Sequence, residues 1–455
     1  MYDAIMSAKM KNNEIRDCQL FNIFRNFEQH KIWRHLLEKL FKTDKSFRKL
    51  CLLNDWWKLL PSKGLLEMES ETSCKRVMQR VTNYDTRYSI NNLTSVKLMA
   101  GGLFSCLKLH HNLLFAGMLD GLIKMWDVTS MTQGASDLRR PFKLFEGHEE
   151  SVTCLDAGAG VLVSGSLDRS VRVWSLESSS LLRVLRREGS PIHCVKMLSD
   201  RLLWWSRSGA FHISSWRGYT KVETAFKFNI NEDPNTCLMC INEHYIVTNQ
   251  TELNAFNNRD VVVYSSVTGM RLFEKDIFSC KDITCLSLGG HLLFIGSGNT
   301  IEVWDVNISS CLAIIQSGNP MSSNITVKDI CVSEFQMIAM ISNSELMAIP
   351  LMLIMREATL SSSEPAIINW NMAAAVLGNR DLAWKNMAMG DQRFCFGLEK
   401  KLGDIKLYFW RHEKKIPTEQ EVIYCKLERR SKSKRYFSAF LDIDYDGDGS
   451  DIDLK

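Results

Sequence analysis

The sequence predicts an all-β ring of seven small antiparallel sheets, a β-propeller, with a small all-α segment ahead of it. Two observations point to the ring. Leu119-Asp120-Gly121-Leu122-Ile123-Lys124-Met125-Trp126-Asp127 and Leu167-Asp168-Arg169-Ser170-Val171-Arg172-Val173-Trp174 end alike, and Gly298-Asn299-Thr300-Ile301-Glu302-Val303-Trp304-Asp305 repeats them without the first acid. Each follows an apolar run: Leu113-Leu114-Phe115-Ala116-Gly117, Val161-Leu162-Val163-Ser164-Gly165 and Leu292-Leu293-Phe294-Ile295-Gly296. Strand, tight turn and second strand ending in Trp is a self-similar unit, and self-similarity decides an architecture before residue propensities do. The third observation is a helical spacing of apolar residues over 14–61.

Trp126 and Trp174 are about one blade of roughly 40–45 residues apart, whereas Trp174 and Trp304 leave room for two weaker blades between them. Ile192-His193-Cys194-Val195, Leu202-Leu203-Trp204-Trp205, Gly209 and Trp216 supply the first of these. Cys237-Leu238-Met239-Cys240-Ile241, Tyr245-Ile246-Val247 and Val261-Val262-Val263-Tyr264 supply the second. A sixth blade follows in Ile330-Cys331-Val332, Met337-Ile338-Ala339 and Leu346-Met347-Ala348-Ile349, and a seventh in Phe394-Cys395-Phe396 and Asp404-Ile405-Lys406-Leu407-Tyr408. The blade-ending residues are then Trp126, Trp174, Trp216, Tyr264, Trp304, Ile349 and Tyr408. A ring must not leave sheet edges open. Either Ser95-Val96-Lys97-Leu98 or Glu421-Val422-Ile423-Tyr424-Cys425-Lys426-Leu427 completes the last blade, with the N-terminal strand slightly favoured.

Within each blade, alternating apolar residues bury both faces of a sheet against its neighbours. Asp120 and Asp168 stand where a short acceptor satisfies the backbone donors of a turn. The second blade has a fuller set, with Gly147-His148 ahead of it and then Ser164, Asp168 and Trp174. These motifs resemble the WD-repeat blade. The resemblance implies that His148, Ser164, Asp168 and Trp174 form a hydrogen-bonded tetrad that pins the blade. It also implies a platform for binding rather than a site of chemistry.

The front of the chain has a different period. Leu20, Ile23, Phe24 and Phe27 fall on one helix face, and Trp33, Leu36, Leu37, Leu40 and Phe41 on another. Thr43-Asp44 offers an N-cap for a third helix carrying Phe47 and Leu50. Ile23-Phe24-x-x-Phe27 and the run from Phe47-Arg48-Lys49-Leu50 to Asn54-Asp55-Trp56-Trp57-Lys58-Leu59-Leu60 resemble the F-box, although the customary Leu-Pro opening is absent and the middle is several residues too long. An ordinary helical cap packed against the ring is the alternative. In the F-box reading, Ile23, Phe24, Phe27, Leu50, Trp56 and Trp57 face a ligase adaptor; in the alternative the same side chains are core. The expected organisation is an N-terminus at 1–13, helical domain at 14–61, helical linker at 62–94, propeller at 95–427 and a disordered, basic-then-acidic tail at 428–455.

The chain has 455 residues, 45% of them hydrophobic, which suits two domains with a substantial core. A net charge of +4 is too small to argue for nucleic acid. Fourteen scattered cysteines, several at corresponding strand positions (Cys106, Cys154, Cys194, Cys285, Cys331), read as buried free thiols in a reducing compartment. Cys237 and Cys240 point to opposite faces of a strand, which argues against a metal site there. No signal peptide is expected. The apolar run 346–355 is broken by Pro350 and too short to span a membrane. The protein is therefore expected in the cytoplasm, the nucleus or both, and Arg429-Arg430-Ser431-Lys432-Ser433-Lys434-Arg435 reads as solvated tail ahead of nuclear-import signal. Asp442-Ile443-Asp444-Tyr445-Asp446-Gly447 imitates the opening of a calcium loop, but Asp453 stands where the closing Glu belongs.

No nucleophile elbow, phosphate loop or clustered metal ligands are found, so neither an enzymatic role nor a cofactor is expected. The resemblance to F-box/WD-repeat proteins implies a substrate-recognition subunit of an SCF-type (cullin–RING) ubiquitin ligase. Its helices would hold the adaptor, and its propeller an unknown protein substrate, phosphorylated or acidic. Neither nucleic acid nor membrane is an expected partner. Arg169 follows the turn acid Asp168, and Arg207 and Arg259 lie near the matching turns of the next two blades; the three are candidates for a basic substrate pocket. The alternative is a WD scaffold with no ligase role.

Overall fold

A computed structural model describes residues 41–54 and 93–410, apart from stretches at 129–140, 187–189, 199–200, 207–209, 216–222, 228–237, 250–259, 279–281, 317–325, 334–335, 342–344, 362–363, 371–374, 379–383, 390–392 and 399–403. The chain divides into two compact units, residues 86–414 and the two termini, 1–85 with 415–455.

In the first unit the strands form a propeller. Six sheets have four strands and a seventh has five. The blades follow the chain at 104–145, 152–186, 192–227, 239–276, 283–316 and 327–350, the last of these completed by strand Ala375–Gly378. Blade 7 takes three strands from 384–410 and its outer strand, Leu93–Met99, from the start of the unit, in register from Leu93 opposite Trp410 to Met99 opposite Asp404. The first strand of blade 7, Trp384–Met389, lies against those of blades 6 and 1, which closes the ring. Hydrogen bonds across the last blade thus tie the two ends of the unit together and cover one edge of each strand. The other candidate for this strand, 421–427, lies outside the described residues.

The core is distributed between neighbouring blades. Phe115, Phe145, Val152, Leu162 and Trp174 unite blades 1 and 2, while Val163, Val173, Ile192, Val195 and Trp204 unite blades 2 and 3. Leu203, Trp205, Ile246 and Tyr264 join blades 3 and 4, and Val247, Val263, Ile283 and Trp304 join blades 4 and 5. Each apolar strand face is buried by the next sheet, as the alternation of residues requires.

Several expectations are corrected. Trp216, the expected end of blade 3, lies outside the described residues. Leu202 faces Ser214 where Leu114 and Leu162 face Trp126 and Trp174, so Ser214 holds the matching position. Cys331 is out of step with the other four thiols, because the residue after its strand's bulge is Asp329. Blade 5 carries a fifth strand. After Pro350 the chain forms a helix, Leu351–Leu360, that buries Leu351, Met352, Ile354 and Met355. It then adds the parallel strand Ala366–Asn369 to the outer edge of blade 5 before returning to blade 6. The apolar run 346–355 is therefore half strand and half helix, since proline sits well at a helix start.

In the second unit, helix Lys45–Leu53 begins at Asp44, whose carboxylate accepts from the backbone N–H of Ser46 (2.8 Å) and Phe47 (3.0 Å). Phe47, Leu50, Cys51 and Leu53 are buried. Leu50 is thus a core side chain rather than an exposed one. Ile23, Phe24, Phe27, Trp56 and Trp57 lie outside the described residues, as do residues 62–92 of the linker expected at 62–94, whose last two residues instead open strand Leu93–Met99, and the tail, including its calcium-like run.

Candidate protein-binding face

Blade 2 shows how the repeat positions its turn. His148 precedes the blade, Ser164 lies on strand Val161–Ser166, and Trp174 on Ser170–Ser175. Trp174 Nε1 donates to Ser164 Oγ (2.8 Å), Ser164 Oγ lies 2.7 Å from His148 Nε2, and His148 Nδ1 lies 2.7 Å from Asp168 Oδ2. One proton arrangement satisfies every link: the serine hydroxyl donates to Nε2, and Nδ1–H donates to the carboxylate. Asp168 also accepts from the backbone N–H and the hydroxyl of Ser170 at 2.8 and 2.6 Å. Burial works against its charge, yet the bonds from His148 and Ser170 outweigh it and hold the carboxyl well below the usual range. The order Ser, His, Asp matches that of a hydrolytic triad. Here, however, Ser164 is fully buried and its oxygen already accepts from an indole, so no substrate can reach it.

This network fixes the turn at which Arg169 stands. Arg169 is exposed and adopts φ 66°, a left-handed backbone conformation. In blade 1 the equivalent turn carries Gly121 at φ 87°, where a Cβ would lie 2.4 Å from the carbonyl oxygen of His148. Arg207 and Arg259 lie outside the described residues, so of the three candidate arginines the structure places Arg169 alone. Arg172, which the sequence did not single out, is buried beneath the turn. Its guanidinium sits 3.7 Å from Asp168 and 6.0 Å from the Trp174 ring centroid, a structural rather than a ligand-facing position.

Charge also collects on the innermost strands. Lys108, Asp156 and Lys196 occupy the same register on the first strands of blades 1, 2 and 3. Lys108 Nζ lies 2.5 Å and Lys196 Nζ 3.5 Å from the Asp156 carboxylate, which also accepts from the backbone N–H of Met197 at 2.8 Å. Burial opposes the charge of Asp156, but the two ammonium groups prevail and hold its carboxyl far below the ordinary range; Asp156 in turn raises Lys196. Two lysines share one buried carboxylate.

A second device repeats at the bulges. Ser105, Thr153 and Thr284 each place a hydroxyl 3.1 Å from a carbonyl of their own blade, at Gly117, Gly165 and Gly296. Each also reaches a carbonyl of the next blade: Val152, Ile192 (2.6 Å) and Val327 (2.7 Å). Of the cysteines that follow these hydroxyls, Cys285 is buried and Cys106 and Cys154 are half-buried, and desolvation pushes the Cys106 thiol up to about 12. It stays protonated and unreactive at neutral pH. The recurring Ser/Thr-Cys pair is the signal that would have exposed this staple in the sequence. Among the described residues no group of three or more His, Cys, Asp or Glu side chains could hold a metal.

The family described as "WD domain, G-beta repeat" matches residues 139–175. That stretch joins the outer strand of blade 1 to the first three strands of blade 2, so the sequence repeat is offset by one strand from the blade. The chain is 26% identical over 206 residues to mouse "F-box/WD repeat-containing protein 4", covering 40% of this chain and 46% of that protein. It is 25% identical over 177 residues to "WD repeat-containing protein pop2" of Schizosaccharomyces pombe, 37% of this chain and 22% of the other. It is 30% identical over 98 residues to "Cell division control protein 4" of Saccharomyces cerevisiae, 21% and 11% of the two chains. The chain spans a quarter or less of the length of the first curated relatives it matches. Among solved structures, the β-propeller domain of Myceliophteria_thermophila Cps50 (Swd1) matches 68% of this chain and 96% of its own, at 13% identity and a TM-score of 0.49.

Proposed function

We propose that the chain is the substrate-recognition subunit of a cullin–RING ubiquitin ligase, acting in the cytoplasm, the nucleus or both. WD-repeat propellers serve protein–protein interaction. The ligase role rests on two observations: a capped helical segment precedes the propeller, and a relative matched over 206 residues is named for both an F-box and WD repeats. In this reading Ile23, Phe24, Phe27, Trp56 and Trp57 face the adaptor, while Leu50 is buried within helix Lys45–Leu53. The turn face carrying Arg169, with Arg207 and Arg259, receives an acidic or phosphorylated segment, because a guanidinium fork matches carboxylate and phosphate oxygens. The chain itself breaks no bonds. It raises the rate of ubiquitin transfer by holding a substrate lysine near a charged conjugating enzyme.

Co-precipitation of the full chain with the adaptor tests this, beside a Phe24→Ala/Trp57→Ala variant whose fold is checked by circular dichroism. Binding that the folded variant loses supports the reading. A folded native chain that binds no adaptor leaves the second reading, a WD scaffold, which the burial of Phe47 and Leu50 favours. Arg169→Glu separates the two faces of the proposal: substrate capture drops while adaptor binding is unchanged.

A further inference from the structure

One turn, from the third strand of a blade to its outer strand, is described in three blades, at 175–180, 265–270 and 305–310. Blades 2 and 4 close it alike: Ser175 N–H donates to the Ser180 carbonyl and Ser265 N–H to the Met270 carbonyl, both at 2.9 Å. All three turns hold one residue in the left-handed region, Ser179 (φ 58°), Gly269 (φ 69°) and Ser309 (φ 51°). Their tips differ in chemistry. Blade 2 presents Glu177 and Ser178, whereas blade 4 presents Val267 (62% exposed) and Met270 (68%), and blade 5 presents Ile308 (63%). The turn itself therefore does not call for apolar side chains.

The apolar tips stand on neighbouring blades that are joined beneath them. Ser266 N–H donates to the His244 carbonyl and Val306 N–H to the His291 carbonyl, both at 3.0 Å, and the two imidazoles stack with centroids 4.6 Å apart. Of residues 265–270 and 305–310 only Asp305 is charged, and it is buried. Arg271, which follows the first turn, is paired with Glu274. Together with Leu272, the tips present on the order of 400 Å² of apolar surface, a size at which exposed patches mark interaction sites.

We infer that this patch is the contact through which two copies of the chain pair about a two-fold axis. Such a contact lays a surface on itself, so any net charge in it would face its own sign. An uncharged apolar patch meets that condition, and it offers nothing by which a charged partner would be selected. Its area is about half of the ~800 Å² that each partner buries in a standard interface, so the pairing is weak and reversible. Successive strands run in opposite directions, which puts these turns at the other end of their blades from the kind of turn that carries Arg169. Pairing therefore leaves the Arg169 turn open, and it does not depend on the ligase reading.

Sedimentation velocity of the full chain across roughly 1–100 µM, a range that suits a contact of this size, tests the pairing. A shift from monomer to dimer with concentration is expected. Val267→Asp and Ile308→Asp should each weaken the dimer about tenfold or more, since each substitution enters the contact twice and buries a charge there. Ser178→Asp, at the counterpart of Ile308 in blade 2, should leave the dimer unchanged, and the melting temperatures report that all three variants stay folded. A chain that is monomeric throughout, or a dimer that survives both substitutions in the folded protein, overturns the proposal. So does a loss that Ser178→Asp reproduces, or growth beyond a dimer, which a closed two-fold contact forbids.

Discussion

Blades 2 and 3 are neighbours with the same strand order, yet they are held by different chemistry. Blade 2 fastens its turn with a buried polar chain from Trp174 through Ser164 and His148 to Asp168. Blade 3 has Ser214 where blade 2 has Trp174, and relies on aromatic bulk instead. Trp204 stacks on His212 at 5.3 Å, and His193 meets Trp205 edge-on at 4.7 Å. The register sharpens the contrast. Cys154 faces Gly165 in blade 2, whereas Cys194 faces Trp205 in blade 3. Gly165 must be small, since a Cβ there would lie 2.4 Å from Ile192 of the next blade and 2.7 Å from Cys154. Trp205 does the opposite and fills the junction with blade 4, packing with Ile241, Ile246, Val262 and Tyr264. Its indole N–H has no hydrogen-bond partner, whereas that of Trp174 is bonded. A blade can thus lose the polar chain and keep its place in the ring, provided a large side chain takes over the burial.

The largest effect is expected from breaking the aromatic side of this comparison. Trp205→Ala should cost about 3–5 kcal/mol, as truncation of a large buried aromatic does. Trp205→Phe should cost much less, because it keeps most of the volume and removes an unsatisfied donor. Calorimetric melting of both variants checks the ordering, and equal losses would mean that bulk at the junction is irrelevant.

On the polar side, His148→Ala leaves Asp168 without its charge-assisted bond and Ser164 without an acceptor. The expected loss is about 2–3 kcal/mol. A double variant with Trp205→Ala measures whether the two blades fail independently, as additivity of their effects would indicate.

A pH series distinguishes the blades differently. Asp156 and Asp168 both have folded-state values below the unfolded carboxylate value of about 3.9. Their stabilisation is therefore fully present above that value and is lost as the pH falls below it. The melting temperature should drop as the pH falls from about 4 to about 2, and an Asp156→Asn/Asp168→Asn variant should start lower and fall less steeply. An unchanged slope would mean that these carboxylates do not couple to folding.

The smallest expected effect is at the staple between blades 2 and 3. Thr153→Val keeps the shape and removes the hydroxyl that reaches Ile192, at a cost of about 1 kcal/mol. The same change at Thr284 should match it, since that hydroxyl makes the equivalent bonds.

The contrast between blades 2 and 3 also explains what was legible beforehand. Asp168, His148, Ser164 and Trp174 are readable because a polar chain demands particular residue types at particular intervals. Trp205 carries no such demand: an indole packed for its volume looks like any apolar residue in a strand. Trp216 drew attention as a blade-ending residue for that reason, although the strand pairing gives the position to Ser214. The sharing of Asp156 between Lys108 and Lys196 was out of reach too, since the three residues lie on separate blades and meet only when the ring forms.

By itself the sequence determined the repeating strand–turn–strand unit, the propeller, the tetrad residues of blade 2 and the cap of Asp44. Each of these depends on periodicity or on partners close along the chain. Tertiary structure decided that Leu93–Met99 completes the last blade and that residues 366–369 leave blade 6 to extend blade 5. Pairing between distant strands costs chain entropy that local preferences cannot repay. Its outcome is settled by which edges remain to be covered once the ring has closed.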